Sequence, residues 1–223
     1  PNQFLSIFFT PSEMIYEPNR IFEYNQDTSN IIINAQDHVA GKLATFVAKN
    51  ILEGQKVTVV NAEYLVLTGP IKRSIGKFND YLNKRRLINP SIGHKHHRSP
   101  SMFLQRIIRR MVPKKIIKGQ KALKLLTIYE SCPDELAHKK WMVCPRAQLK
   151  NTSDPIRKSF YIKELLTKFG WKYSEEADLQ YQRVMAMRND HKAALEVTKQ
   201  KEDQLRKSDR FEQRVKELME QIE

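Results

Sequence analysis

A strand–helix–strand pattern in the first third of the chain limits the fold more than any other feature. Residues 31–33 are three consecutive isoleucines, as expected for a strand that is buried on both faces. Apolar residues then recur at helical spacing from Val39 to Ile51, and Gly54 can end this helix. Residues 56–60 form a second apolar, β-branched run. Two neighbouring strands joined through one helix are parallel with a right-handed crossover, so the pattern predicts an α/β fold.

Signals further along the chain extend this fold. Residues 64–68 and 126–129 are predicted to be two more short strands. Helices are predicted over residues 71–86, from Ser99 or Ser101 to Met111, over 119–125 and over 160–169. The resulting fold class is α/β, with a central, mostly parallel sheet of about four strands flanked by helices and a long C-terminal helical extension.

The two ends of the chain differ in character from its middle. We expect an N-terminal extension over residues 1–30, an α/β core over 31–150 and a C-terminal extension over 151–223. After Ser174 the chain has no Pro or Gly, which predicts a long charged helix. An apolar stripe between Phe211 and Ile222 is predicted to dock this helix on a neighbouring protein.

Positive charge is concentrated in the middle of the chain. The formal net charge is +14, although residues 174–223 hold 10 Lys and Arg against 12 Asp and Glu. Residues 93–124 contain ten Lys and Arg and no Asp or Glu. Like charges at this density repel one another in a folded protein, so we expect a polyanion to neutralise them. Nucleic acid fits best, because guanidinium groups bind phosphate oxygens and also stack on exposed bases.

Two other interpretations of the positive charge fit the sequence less well. A solvated helix face would carry acidic residues four positions away, and residues 93–124 have none. A membrane-surface helix needs an apolar face of its own with aromatic anchors, whereas the apolar residues of 101–111 are needed by the core. No apolar run reaches the roughly 18 residues of a membrane span. We therefore expect no membrane partner.

Motifs for a nucleotide, a metal ion or catalysis are incomplete. Lys42 follows Gly41 at the start of a helix, but Gln36 and Leu43 stand where a phosphate-binding loop needs Gly and Ser or Thr. The available metal ligands lack the spacing of a zinc site. They are His94, His96, His97, Cys132 and Cys144. Nucleophile motifs such as Gly-x-Ser-x-Gly are also missing, so we expect no cofactor, no metal ion and no enzymatic activity.

The residues expected to contact RNA are basic side chains and histidines of the core, hereafter the candidate residues. They are Lys42, Lys72, Arg73, Lys84, Arg85, Arg86, His94, Lys95, His96, His97, Arg98, Arg106, Arg109, Arg110, Lys114, Lys115, Lys118 and Lys121. Within 101–111 they alternate with apolar residues, among them Phe103, Ile107, Ile108 and Met111, which are expected to hold that helix to the sheet.

Four successive stretches resemble one known family. They are HVAGKLATFVAKNILEGQKVTVVNAE (38–63), LTGPIKR (67–73), NPSIGHKHHRSPSMFLQRIIRRMVPKKIIKGQKALKLLTIYES (89–131) and RKSFYIKELLTKFGWKY (157–173). The most specific parts are Arg-x-x-x-x-Met-[Leu/Val]-Pro-[Lys/His], which begins at Arg106, and Gly-Trp-Lys-Tyr at 170–173. Together they resemble the large-subunit ribosomal protein uL13 family in its eukaryotic and archaeal form.

This resemblance implies a non-catalytic component of the large ribosomal subunit. Residues 31–150 would bind rRNA and stabilise its fold, with neighbouring ribosomal proteins as further partners. The site of action would be the cytoplasmic ribosome, with assembly in the nucleolus if the source is eukaryotic. The chain departs from the family pattern at Lys42, where Arg is usual, and at Arg110, where Gly is usual. From the residues alone, an RNA-binding regulator acting off the ribosome and an RNA-modifying enzyme remain as alternatives.

Overall fold

The computed structural model describes residues 30–154 and 156–207, together with residues 214 and 219. The strands are β1 Asn30–Asn34, β2 Lys56–Val60, β3 Val66–Thr68, β4 Leu126–Ile128 and β5 Ser159–Tyr161. The helices are α1 Ala40–Leu52, α2 Ile71–Asn83, α3 Pro100–Met111, α4 Ile117–Lys124, α5 Leu149–Thr152, α6 Ile162–Lys168 and α7 Ser174–Arg206. Apart from Asn30, the predicted N-terminal extension lies outside the described residues.

The central sheet has three parallel strands in the order β1-β2-β4. Ile32 pairs with Thr58, which in turn pairs with Thr127. An extended segment adds to the free edge of β1, where the amide of Met142 donates to the carbonyl of Ile32 at 2.7 Å. The predicted parallel strand–helix–strand unit is therefore confirmed, and with it the α/β class.

The strand β3 does not join this sheet, which leaves the central sheet with three strands instead of about four. Asn61 has a φ of +58°, and a single 3-10 turn, Ala62–Tyr64, follows it. These residues redirect the chain, and β3 pairs antiparallel with β5, with Leu67 opposite Phe160. The predicted strand 64–68 is real but belongs to a separate two-stranded sheet.

Alternate residues of the central strands face two different cores. Ile31 and Ile33 belong to the larger core, which includes residues of α1 and α3, and α1 also packs against α4. Ile32 points to the opposite face and joins a smaller core with Trp141 and Val184 of α7. Helices therefore cover both faces of the sheet, as the continuous apolar character of β1 predicts.

The helix α3 is held to the core through one side and leaves its arginines outside. Ser99 caps it, because its Oγ accepts from the amide of Met102 at 3.4 Å. Leu104 and Ile108 are fully buried. Met111 was predicted to face the core, but this was wrong: its side chain is 40% exposed. Leu104, which the prediction omitted, occupies the core position instead, since it lies one helical turn before Ile108.

Residues 159–171 pack against the larger core, although the predicted division places them in the C-terminal extension. Ile162, Leu165, Leu166 and Trp171 are all buried there. The predicted helix 160–169 is shorter, because Phe160 lies in β5 and α6 begins at Ile162.

The long helix α7 has a packed half and an exposed half. Ala177 and Val184 are buried, whereas residues 189–207 are exposed throughout. At 33 residues it is about 50 Å long. Its predicted apolar stripe lies outside the described residues, apart from Met219, which is exposed.

Candidate nucleic-acid interface

A tyrosine of α2 holds the basic loop between α2 and α3, residues 84–98, against the two helices. Tyr81 is 7% exposed and packs beside Phe78. Its hydroxyl donates to the carbonyl of Lys95 at 2.7 Å and accepts from the amide of His97 at 3.2 Å. One buried phenol thus fixes the second half of the loop, which carries several of the candidate residues.

The loop is closed by a histidine. The Nε2 of His96 lies 2.9 Å from the carbonyl of Lys84, and this atom therefore donates its proton. The ring of His96 also meets the edge of the Tyr81 ring, with the centroids 5.1 Å apart. His96 joins the two ends of the loop, so its polar edge already has a partner within the protein.

An arginine of α3 lies flat on the same tyrosine. The guanidinium carbon of Arg106 is 3.6 Å from the centroid of the Tyr81 ring, which is a cation–π contact. Burial lowers the pKa of Arg106, and the neighbouring charge of Arg110 adds to this effect. A guanidinium nevertheless keeps its charge in a protein. The contact with Tyr81 therefore fixes the orientation of the Arg106 guanidinium before a ligand binds.

A groove of about 420 Å³ runs between α2 and α3. Its walls combine apolar and aromatic side chains with four cations and include no carboxylate. The cations are Lys77, Lys84, Arg106 and Arg110. The structure thus brings together three of the candidate residues and adds Lys77, which the candidate set omits. The sequence carries no signal that separates Lys77 from the other cations of α2, because which of them line the groove depends on how α2 packs against α3.

The remaining candidate residues are spread over a wider surface. Lys72 and Arg73 are exposed on the first turn of α2, and Lys42 on the first turn of α1. A further exposed group lies in α4 and in the turn before it. It consists of Lys114, Lys115, Lys118 and Lys121. Ile116 and Ile117, between them, are exposed by 62% and 69%. Cations and apolar side chains alternate on this part of the surface.

The candidate residues lack acidic partners within the part of the chain that the structure describes. Ion pairs within that part include Lys163–Asp178, Arg183–Asp134 and Lys192–Glu196, none of which contains a candidate residue. These three pairs involve α7. The candidate residues therefore keep their charge available to an external anion.

The edge of the sheet where α/β enzymes bind their ligands is occupied by α7. That edge lies beyond the carboxyl ends of the parallel strands. Asp178 accepts from the hydroxyl of Tyr64 at 2.5 Å and from Nζ of Lys163 at 2.7 Å. Burial alone would raise the pKa of Asp178, but these two hydrogen bonds lower it overall. The hydroxyl of Tyr181 donates to the side chain of Gln36 at 2.9 Å.

The cysteines and histidines do not form a metal centre in the described part of the chain. There, no group of three His, Cys, Asp or Glu side chains is close enough to hold a metal ion. Burial raises the pKa of Cys132 to about 11 and that of Cys144 to about 12. Both thiols are free and protonated at neutral pH. Among the described helices, none combines the length and apolar character that a membrane span requires.

Comparison with known proteins identifies the family. The model of the family described as ribosomal protein L13 matches residues 28–135. Large ribosomal subunit protein uL13 of Spodoptera frugiperda is 37% identical over 145 residues, 65% of this chain and 71% of the relative. The uL13 protein of Dictyostelium discoideum is 38% identical over 143 residues, 64% of this chain and 76% of the relative. The chain belongs to the uL13 family. It is a ribosomal protein with a structural role, not an enzyme.

The two positions at which the sequence departs from the resemblance are both exposed. Lys42 lies on the first turn of α1. Arg110 lies at the end of α3, where it lines the groove.

Proposed function

We propose that this uL13 chain binds large-subunit rRNA through the candidate residues and Lys77, and thereby stabilises the rRNA fold. The observation that carries the proposal is the uncompensated positive surface formed by α2, α3 and the loop 84–98. Its cations have no ion pair with a described carboxylate. Phosphate binding by Lys and Arg releases counterions from the RNA, and this release supplies much of the affinity. The RNA-binding region would lie within residues 31–150.

A salt titration tests RNA binding directly. Filter binding of large-subunit rRNA fragments should weaken steeply with salt, with a slope of roughly −0.7 to −0.9 for each phosphate neutralised. A flat plot of the logarithm of affinity against the logarithm of salt concentration would contradict the proposal.

Incorporation into the particle tests which surface is used. Arg106→Ala combined with Arg109→Ala should reduce the amount of this protein in large subunits isolated on gradients, because both cations lie on α3. The matched control is Lys139→Ala with Lys140→Ala, which removes the same charge from an exposed segment between β4 and α7. If both double variants incorporate as the wild type does, the α3 surface is not the rRNA site.

We further propose that the C-terminal extension, residues 151–223, contacts a neighbouring ribosomal protein through α7. Its residues 189–207 are exposed on every side, with Leu195 and Val197 each 49% exposed. Deletion of residues 189–223 should release that neighbour from the particle and leave rRNA affinity unchanged. Loss of rRNA affinity in the deletion variant would instead assign the tail to RNA.

The proposed place of action is the cytoplasmic ribosome, with assembly in the nucleolus in a eukaryotic cell. Sedimentation of a tagged protein with large subunits, and nucleolar fluorescence during assembly, are the expected results. A pool that sediments mainly free of ribosomal particles would favour the regulatory alternative.

A further inference from the structure

The groove between α2 and α3 combines features that a simple phosphate-binding surface does not need. Part of its wall is apolar and recessed, formed by Phe78, Phe103, Ile107 and Leu165. Phosphate binding alone requires only exposed lysines and arginines and no apolar recess between them. An apolar recess between cations instead matches a ligand that carries a planar apolar body beside an anion.

Arg106 supplies a platform for that planar body. One face of its guanidinium rests on the Tyr81 ring at 3.6 Å, and the side chain also lines the groove. Guanidinium planes stack on unpaired bases of RNA. Because Tyr81 already fixes the guanidinium plane of Arg106, the side chain loses little conformational entropy when a base stacks on it.

The cations around the recess are placed for phosphates. Lys77, Lys84 and Arg110 line the same groove, with the hydroxyls of Ser74 and Thr68 beside them as hydrogen-bonding groups. The volume of about 420 Å³ lies within the range of roughly 300–1,000 Å³ that is usual for small-molecule sites. This volume is sufficient for one nucleotide and too small for a duplex.

We propose that this groove binds one unpaired nucleotide of RNA, with its base stacked on Arg106 and its phosphates held by Lys77, Lys84 and Arg110. The inference rests on the proposed RNA-binding function. It adds a preference for RNA that contains an unpaired, unstacked base. Paired bases cannot enter such a recess, because the bases stacked above and below them in the helix cover their faces.

The test compares two RNA hairpins of identical stem sequence, one with a single bulged adenosine and one fully paired. Binding is measured by fluorescence anisotropy with the full chain. The wild type should bind the bulged hairpin more tightly. Arg106→Lys keeps the charge but removes the planar group, and it should weaken binding of the bulged hairpin at least about fivefold, the lower end for stacking one base. Binding of the paired hairpin should stay unchanged.

Matched variants separate stacking from charge. Arg109→Lys changes an exposed arginine of the same helix outside the groove and should leave the preference for the bulge intact. Ser74→Trp fills the groove without changing any charge and should abolish the preference, whereas Asn79→Trp on the exposed side of α2 should not. Thermal unfolding checks that each variant folds. Arg106→Lys changes α3 and Ser74→Trp changes α2, so if one of these variants fails to fold, the other still tests the proposal.

The outcomes distinguish this inference from the proposed function. Steeply salt-dependent binding of both hairpins without preference for the bulge would overturn the inference alone. Equal effects of Arg106→Lys and Arg109→Lys would do the same, since charge and not stacking would then be at work. A chain that binds neither hairpin at low salt would overturn both proposals.

Discussion

Glu63 places a carboxyl group inside the protein, and its replacement by Gln should change how stability depends on pH. The residue follows β2 and is 0% exposed. Neither of its carboxylate oxygens has a hydrogen-bond partner among the described residues. Burial raises its pKa from 4.5 to about 8, and the nearby charges of Glu130 and Asp178 act in the same direction. The folded protein therefore holds a proton at neutral pH that the unfolded chain releases.

The size of the effect follows from the two pKa values. Between the unfolded value of 4.5 and the folded value of about 8, the folded state binds one proton more than the unfolded state. The free energy of unfolding should then fall as pH rises, by about 1.4 kcal/mol per pH unit. Between about pH 5 and about pH 7.5 this amounts to roughly 3 kcal/mol. Glu63→Gln should lose this dependence because its amide does not titrate.

Urea unfolding followed by circular dichroism at several pH values in this range measures the effect. Glu164→Gln, at an exposed position of α6, is the matched control and should follow the wild type. His38, whose pKa is lowered by burial, favours the folded state as pH rises through its ordinary value of 6.5. All three proteins share that contribution, so the difference between them isolates Glu63. Parallel curves for the wild type and Glu63→Gln would refute the reasoning.

Two further predictions concern side chains that the sequence analysis did not assign. Tyr81→Phe keeps the ring under Arg106 but removes both hydrogen bonds to the loop 84–98, so amide hydrogen exchange in that loop should become faster, with a loss of about 1–2 kcal/mol in stability. Unchanged exchange would show that the loop is held by other contacts. The thiols of Cys132 and Cys144 should react with iodoacetamide at pH 8 only in urea, because burial keeps them protonated in the folded protein; rapid alkylation without urea would contradict their placement.

The parts of the fold that local pattern defines could be predicted from the sequence. The run of isoleucines in β1 and the helical spacing in α1 depend on neighbours in the chain, and both elements formed as predicted. The same holds for the Ser99 cap of α3. Such elements can be predicted because side chains one or two helical turns apart in the sequence lie on the same face of the helix.

Other features depend on residues far apart in the chain and carry no local signal. In the sequence, Tyr81 is one aromatic residue of an amphipathic helix, and its contacts with Lys95 and Arg106 form only in the folded protein. The partner of β3 could not be predicted either, since a three-residue strand is too short to indicate its neighbour. The set of cations that line the groove could not be predicted either, because this set depends on how α2 and α3 pack.

The pairing of β3 with β5 imposes an order on how the two sheets can form while the chain is synthesised. All three strands of the central sheet are complete once residue 128 has been added, whereas β3 has no partner until residue 161. At typical translation rates of about 5–20 residues per second, this gap lasts roughly 2–7 s. During this interval α2 and α3 have already been synthesised, whereas Leu165, which lines the groove from α6, has not. The groove can therefore be complete only after the last strand of the small sheet has been added.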